Sequence, residues 1–149
     1  MRAMDARIAV AFKNLKRLTN TTHRRRFGES MKDWKGTIIA EGLSDPAVIN
    51  KFSVYKAEIS RDGMAVDYKG NVGRWHLYKV KCSKEEIDAL QPSIMNGWYA
   101  HFWKRNKIVV VYGDKQFELK RGDEETWKGA RDHGIAQGIP ENELDFPTE

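Results

Sequence analysis

Two histidines and three aromatic residues, at alternate positions of two predicted strands, are the side chains best suited to chemistry in this sequence. His76 and Tyr78 lie in one stretch, and Tyr99, His101 and Trp103 lie in the other. Residues two positions apart share a face of a strand, so each group points to one side. If the strands are close and expose the same side, they form a pocket for a planar or anionic ligand. An imidazole in that pocket would serve as general acid or base.

The same five side chains also fit a structural role. Aromatic-rich strands usually belong to a core, so the N-terminal segment or a second subunit would then cover this candidate ligand face. The histidines would in that case make structural hydrogen bonds, and no ligand would bind between them. Both interpretations remain open at the level of the sequence.

The other reactive side chains lack the neighbours that a recognised site requires. The two histidines, with an acid such as Glu58 or Asp67, show no metal-ligand spacing, so we expect no metal site. Cys82 ends a predicted strand with no signature around it, which favours a buried thiol over a nucleophile. The sequence contains no catalytic triad pattern, P-loop or dinucleotide-binding glycine pattern. We therefore expect no cofactor, and the sequence identifies no reaction.

Charge is distributed unevenly along the 149 residues, whose net charge is +5. Residues 1–36 contain ten Lys or Arg and three acids, whereas residues 121–149 contain three Lys or Arg and eight acids. Arg24, Arg25 and Arg26 form a basic cluster and are candidate anion contacts, for example with nucleic-acid phosphates. The opposite charges of the two ends also fit a solvated surface, or pairing within the fold or across a dimer.

Composition limits the class of protein. A content of 40% hydrophobic and 32% charged residues fits one globular domain over residues 1–149. The single cysteine excludes an internal disulfide framework and fits a reducing cytoplasm. The apolar runs are far shorter than the roughly 18 residues that span a bilayer, and the N-terminus lacks the apolar region of a signal peptide. We therefore expect a cytoplasmic protein with no membrane segment.

The periodicity of apolar residues predicts an α+β domain with a mostly antiparallel sheet of about five to six strands, packed with helices. The predicted helices lie near residues 5–18, 45–51, 84–95 and 124–137. Polar residues and Gly28 interrupt the pattern over 19–36 and predict a mobile basic loop. An overlapping short strand is predicted from Trp34 to Ala40.

From residue 52 onward, alternating stretches separated by turns predict a series of strands. Asp62-Gly63 is typical of a tight hairpin, which would join strand 52–59 to a returning strand at 64–68. Residues 97–103 should form the central strand of the sheet. The order of the elements indicates helices on one face of the sheet. Because both faces of the central strand are apolar, the other face of the sheet also needs a cover. A homodimer or a second helix layer would provide it.

The predicted helices carry recognisable start and stop signals. Ser83 and Glu86 form a capping box, and Pro92 should kink or shorten the helix that follows. Asp123 should cap the last helix, and Leu144 and Phe146 are the apolar anchors of the tail behind it.

Four segments of the C-terminal half resemble sequences of a known kind. They are GWYAHFW (97–103), IVVVYGDKQFEL (108–119), TWKGARDHGI (126–135) and GIPENELDF (138–146). In combination they resemble a family of small uncharacterised prokaryotic proteins. The resemblance implies a single-domain cytoplasmic protein of bacterial or archaeal type, and it implies no activity, cofactor, substrate or functional residue.

The residues favour a non-catalytic binding or interaction module. It would contact nucleic acid or an acidic partner through the basic N-terminal region, with the aromatic sheet face used for dimerisation or ligand contact. The alternative is a small enzyme of unknown reaction, whose pocket would be the aromatic, histidine-containing face described above.

Overall fold

A computed structural model describes residues 31–65 and 71–148, in which a six-stranded antiparallel sheet is packed with helices. The sheet has the order β2-β5-β1-β6-β7-β8. Its strands are β1 (Trp34–Ile39), β2 (Ser53–Ile59), β5 (His76–Cys82), β6 (Ala100–Lys104), β7 (Lys107–Val111) and β8 (Gln116–Lys120). A separate two-stranded sheet pairs β3 (Met64–Ala65) with β4 (Val72–Gly73). The α+β class and the predicted number of strands in the main sheet are therefore confirmed.

Two α-helices lie in the described part of the chain, α1 (Lys84–Leu90) and α2 (Lys128–Ala136). Short 3-10 helices are formed by Ala40–Gly42, Pro46–Lys51, Gln91–Ser93, Glu124–Trp127 and Glu141–Glu143. The predicted helix near 45–51 is thus a 3-10 helix, and each of the two later predicted helices is split into an α part and a 3-10 part. The predicted helix near 5–18 lies outside the described residues.

Capping explains where α1 begins and ends. The Ser83 hydroxyl accepts from the Glu86 N–H at 3.3 Å, and the Glu86 carboxylate accepts from the Ser83 N–H at 3.1 Å, which confirms the capping box. The α-helix ends at Leu90, two residues before Pro92, and continues as a 3-10 turn. The predicted cap of the last helix is wrong, because the Asp123 side chain makes no capping hydrogen bond.

One face of the sheet packs against α1 and forms the first core. Ile38, Val80 and Phe102 meet Ile87 and Leu90 there, and all five are buried. Phe102 lies directly opposite Gly36, where an added Cβ would be 2.1 Å from the Phe102 ring. The absence of a side chain at this position lets the ring cross β1.

The opposite face of β6, β7 and β8 packs against α2 and the C-terminal tail and forms the second core. Ile108 and Val110 from β7 meet Trp127, Leu144 and Phe146, and all are buried. The two tail residues predicted as anchors are confirmed. Helices therefore cover both faces of this part of the sheet, and the expectation of helices on one face is wrong. One chain supplies both covers, so the reason for expecting a dimer no longer applies.

The order of strands departs from the predicted hairpin at Asp62-Gly63. β2 pairs with β5 rather than with the segment that follows it, and β3 pairs with β4 instead. β1 is inserted between β5 and β6, and residues 34–36 of the predicted loop 19–36 belong to it. The rest of that loop up to residue 30 lies outside the described residues. None of the described helices has the length and apolar character that crossing a membrane requires.

Candidate functional site

The sheet register divides the predicted ligand face between two sides of the sheet. Thr37 of β1 lies opposite His101 of β6 and opposite Lys79 of β5, so His101 and Lys79 share a face. Tyr78 lies on the opposite face, because it alternates with Lys79 along β5, and His76, two residues away, shares that face with Tyr78. The shared pocket is therefore a wrong expectation, because the two histidines lie on opposite faces.

Tyr99, His101 and Trp103 share a face, as predicted, and that face lies against the C-terminal tail. His101 and Trp103 are each only 5% exposed. The His101 Nε2 lies 2.7 Å from the Pro147 carbonyl oxygen, to which the imidazole donates a hydrogen bond. Burial lowers the pKa of His101 to about 4, so the ring is neutral near neutral pH. This geometry supports the structural role that the sequence had left open.

His76 and Tyr78 lie on the side of the first core. The carboxylate of Glu41 accepts from the His76 backbone N–H at 2.6 Å and lies 2.9 Å from His76 Nδ1. The His76 side chain is 46% exposed, whereas Tyr78 is half-buried against the first core. His76 is thus an exposed hydrogen-bond partner of Glu41 on the face opposite to His101.

A cavity of about 300 Å³ lies beside Tyr99, where β1 ends and β5 and β6 begin. Its lining includes Ile39, Met64, Trp75, Trp98, Tyr99 and Ile139. The rings of Trp75 and Trp98 meet edge to face, with centroids 5.2 Å apart and planes inclined by 62°. Glu143 is the charged residue among the described lining residues. The cavity is therefore an aromatic site with one acidic group.

Hydrogen bonds join the segment before β6 to residues at and beyond the end of α2, on two sides of this cavity. The Gly97 N–H donates to the Gln137 side-chain oxygen at 3.0 Å, and the Tyr99 hydroxyl donates to the Glu143 carbonyl. Burial raises the pKa of Tyr99, and the nearby charges of Asp145 and Glu143 raise it further. The phenol therefore stays protonated and acts as a donor.

The remaining sequence candidates do not form a catalytic or metal site within the described residues. Cys82 is buried, and desolvation raises the pKa of its thiol to about 12, so it is a core residue rather than a nucleophile, as predicted. No three of the described His, Cys, Asp and Glu side chains are grouped as metal ligands. Arg24, Arg25 and Arg26 lie outside the described residues.

Four lysines of β1, β5 and β2 point to one side of the sheet, and together with Tyr55 we call them the lysine face. They are Lys35, Lys56, Lys79 and Lys81. Lys35 lies directly opposite Lys81, and Lys56 lies directly opposite Lys79. Lys35, Lys56, Lys81 and Tyr55 are exposed. The lysine face is thus a basic surface with an aromatic ring within it.

The aromatic ring lies close to two of these cations. The Nζ atoms of Lys35 and Lys81 are 5.7 and 5.8 Å from the centroid of the Tyr55 ring. Lys56 pairs with the carboxylate of Glu58 at 2.5 Å. Among the described residues, no carboxylate lies within ion-pair distance of Lys35 or Lys81. These two lysines are therefore the part of the face best placed to bind an external anion.

Sequence reasoning missed both surfaces. The alternation of Lys79 and Lys81 is visible in the sequence, but only the register adds Lys35 and Lys56 to them. For the cavity, Trp98 belongs to the aromatic motif, whereas Glu143 carries no local signal.

Comparisons with known proteins identify no relative for this chain. No family model matches it, and neither the curated proteins nor the solved structures include a significant match. The lysine face and the aromatic cavity are therefore the features that bear on function.

Proposed function

We propose that this protein is a non-catalytic binding protein that contacts single-stranded nucleic acid through the lysine face. The observation that carries the proposal is the cross-strand pairing of like charges, Lys35 with Lys81 and Lys56 with Lys79. Like charges directly opposite one another destabilise a sheet. A polyanion bound over them would relieve that repulsion, and release of its counterions would favour binding.

The exposed Tyr55 favours nucleic acid over other polyanions as the partner of the lysine face. Tyr55 is 40% exposed, and its ring centroid lies 5.7 and 5.8 Å from the ammonium groups of Lys35 and Lys81. An exposed aromatic ring offers a stacking surface for a base, while flanking cations contact the phosphates. Stacking tolerates every base, so we expect little sequence preference.

The composition of the chain agrees with this proposal. A net charge of +5 favours polyanionic partners. The single cysteine fits a reducing compartment, and we propose that the protein acts in the cytoplasm. The C-terminal motifs lead us to propose further that the chain belongs to the prokaryotic family they resemble.

The enzymatic alternative has less support. It requires an imidazole that reaches substrate, yet His101 is buried and hydrogen-bonded to the Pro147 carbonyl. His76 lies on the other face of the sheet and pairs with Glu41. The two histidines therefore offer no shared acid–base centre.

Binding of a fluorescent oligothymidine, measured by anisotropy over a salt series, tests the proposal. We expect affinity to fall steeply with salt, and the double variant Lys35→Gln/Lys81→Gln to reduce the slope of log K against log salt by roughly 1.4, about 0.7 for each lost phosphate contact. Tyr55→Leu should weaken binding by at least about fivefold through lost stacking.

A second pair of opposed lysines provides the matched control. Lys107 and Lys120 face each other across β7 and β8, and Lys107 lies 3.5 Å from the Glu118 carboxylate. Lys107→Gln/Lys120→Gln removes the same charge and should leave the slope nearly unchanged. Equal losses from both double variants, or no binding at low salt, would refute the lysine face as the site. Tighter binding to polyglutamate, unaffected by Tyr55→Leu, would identify an acidic protein as the partner instead.

A further inference from the structure

We infer that the cavity between the segment before β6 (residues 97–99) and the residues that follow α2 binds a small organic cation with an alkylated ammonium group. The inference does not depend on the lysine face, because the lining residues are different ones. Trp75, Trp98 and Tyr99 supply three aromatic rings, and Glu143 supplies an acidic group. Aromatic rings around an acidic residue form a site whose complement is a cation with an apolar surface.

The aromatic walls select for cations. The centroids of the Trp75 and Trp98 rings are 5.2 Å apart and the planes are inclined by 62°, so the two lining rings meet at an angle and are not stacked face to face. A quaternary ammonium ion placed against such rings is attracted by the negative charge of their π faces. Its methyl groups also bury apolar surface against Ile39 and Ile139, which a bare ammonium ion does not do.

The charge of the lining points in the same direction. Glu143 is the one charged residue among the described lining residues. None of the ion pairs between described residues includes it. Asp145 and Glu143 both act on Tyr99 as nearby negative charges. An anionic ligand would be repelled by this surrounding, and a neutral ligand would gain nothing from it.

The size of the cavity limits the ligand. About 300 Å³ is at the lower end of the volumes of small-molecule sites. It suits a compact head group, either as a free small molecule or as the end of an alkylated lysine side chain. Both sources present the same chemistry to the aromatic rings.

Calorimetric titration of the full chain with choline, and with its uncharged analogue 3,3-dimethylbutanol, tests the inference. The two probes have nearly the same shape, so their difference isolates the charge. We expect choline to bind about tenfold more tightly than the alcohol. A peptide with one trimethyl-lysine forms a second arm, and the tighter of the two cationic probes identifies the source.

Variants of two acidic residues test which carboxylate attracts the bound cation. Glu143→Gln should weaken choline binding by about fivefold or more, whereas Glu141→Gln, an exposed acid outside the described lining, should not change it. Trp75→Leu should weaken both probes, and circular dichroism will show whether each variant is folded. Equal binding of choline and the alcohol, no binding of either, or equal effects of the two glutamine variants would overturn the inference.

Discussion

At the scale of single residues, burial turns the reactive group of His101 into a structural one. The ring lies between β6 and the tail, and desolvation lowers its pKa from 6.5 to about 4. Its Nε2 is already engaged by the Pro147 carbonyl. The histidine at the centre of the aromatic motif therefore joins the tail to the sheet, which is the structural one of the two roles that the sequence left open.

This pKa shift predicts a pH dependence of stability. Because the folded pKa lies below the unfolded value, the unfolded chain binds the proton more strongly between pH 6.5 and about 4. The contribution of neutral His101 to the free energy of unfolding is complete above this range and is lost as the pH falls through it. At 1.4 kcal/mol per pKa unit, the loss is at most about 3 kcal/mol.

Urea denaturation of the wild type and of His101→Gln across this pH range measures the effect. Glutamine retains a donor for the Pro147 carbonyl and does not titrate. We expect the variant to lose less stability than the wild type on acidification. Parallel pH profiles for the two proteins would contradict the assignment of a depressed pKa to His101.

At the scale of elements, the two α-helices begin in different ways although both were predicted to have side-chain caps. Ser83 and Glu86 form reciprocal hydrogen bonds at the start of α1. The chain reaches α2 through a 3-10 turn, in which the Thr126 hydroxyl accepts from the Lys120 N–H and donates to the Asp123 carbonyl. Asp123 contributes through its backbone, and its side chain makes no capping bond.

This difference predicts that removing the Ser83 side chain lowers the free energy of unfolding more than removing the Asp123 side chain. Ser83→Ala should lower the free energy of unfolding by about 1 kcal/mol, since it leaves a helix N–H without its acceptor. Asp123→Ala should lower the free energy of unfolding by about half of that or less, because it removes only the interaction of the carboxylate with the helix dipole. Chemical denaturation of both variants gives the comparison, and a larger loss from Asp123→Ala would show that the carboxylate caps α2 in solution.

Individual elements could be predicted from the sequence to the extent that their signals are local. The capping box, the effect of Pro92 and the buried face of α1 at Ile87 and Leu90 all follow from spacing within a few residues. The partner of β2 could not be predicted in this way. The Asp62-Gly63 signal is a local one, but β2 gains a longer ladder by pairing with β5.

At the scale of the whole molecule, one sheet separates two cores. α1 covers the first core, and α2 with the tail covers the second. Each core has its own side chains, while the backbone of β6 and β7 is common to both. Side chains on different faces therefore have no shared partners, whereas side chains within one core contact each other directly.

Double-mutant cycles measured by urea denaturation test this arrangement. Ile87→Val in the first core and Phe146→Leu in the second should have additive effects on the free energy of unfolding, within about 0.5 kcal/mol. Trp127→Phe and Phe146→Leu should be coupled by at least about 0.5 kcal/mol, because their rings lie 5.7 Å apart. Strong coupling between Ile87 and Phe146 would mean that the cores are not independent.

The sequence by itself determined which residues share a side within each strand. It placed Tyr99, His101 and Trp103 together and predicted Leu144 and Phe146 as buried anchors, because side-chain alternation and apolar spacing are local properties. Only the tertiary structure decided how the strands were combined. The register put His76 and His101 on opposite faces of the sheet and brought lysines of three strands to one face. Backbone hydrogen bonds between distant segments set that register, and they leave no signature in any single stretch of sequence.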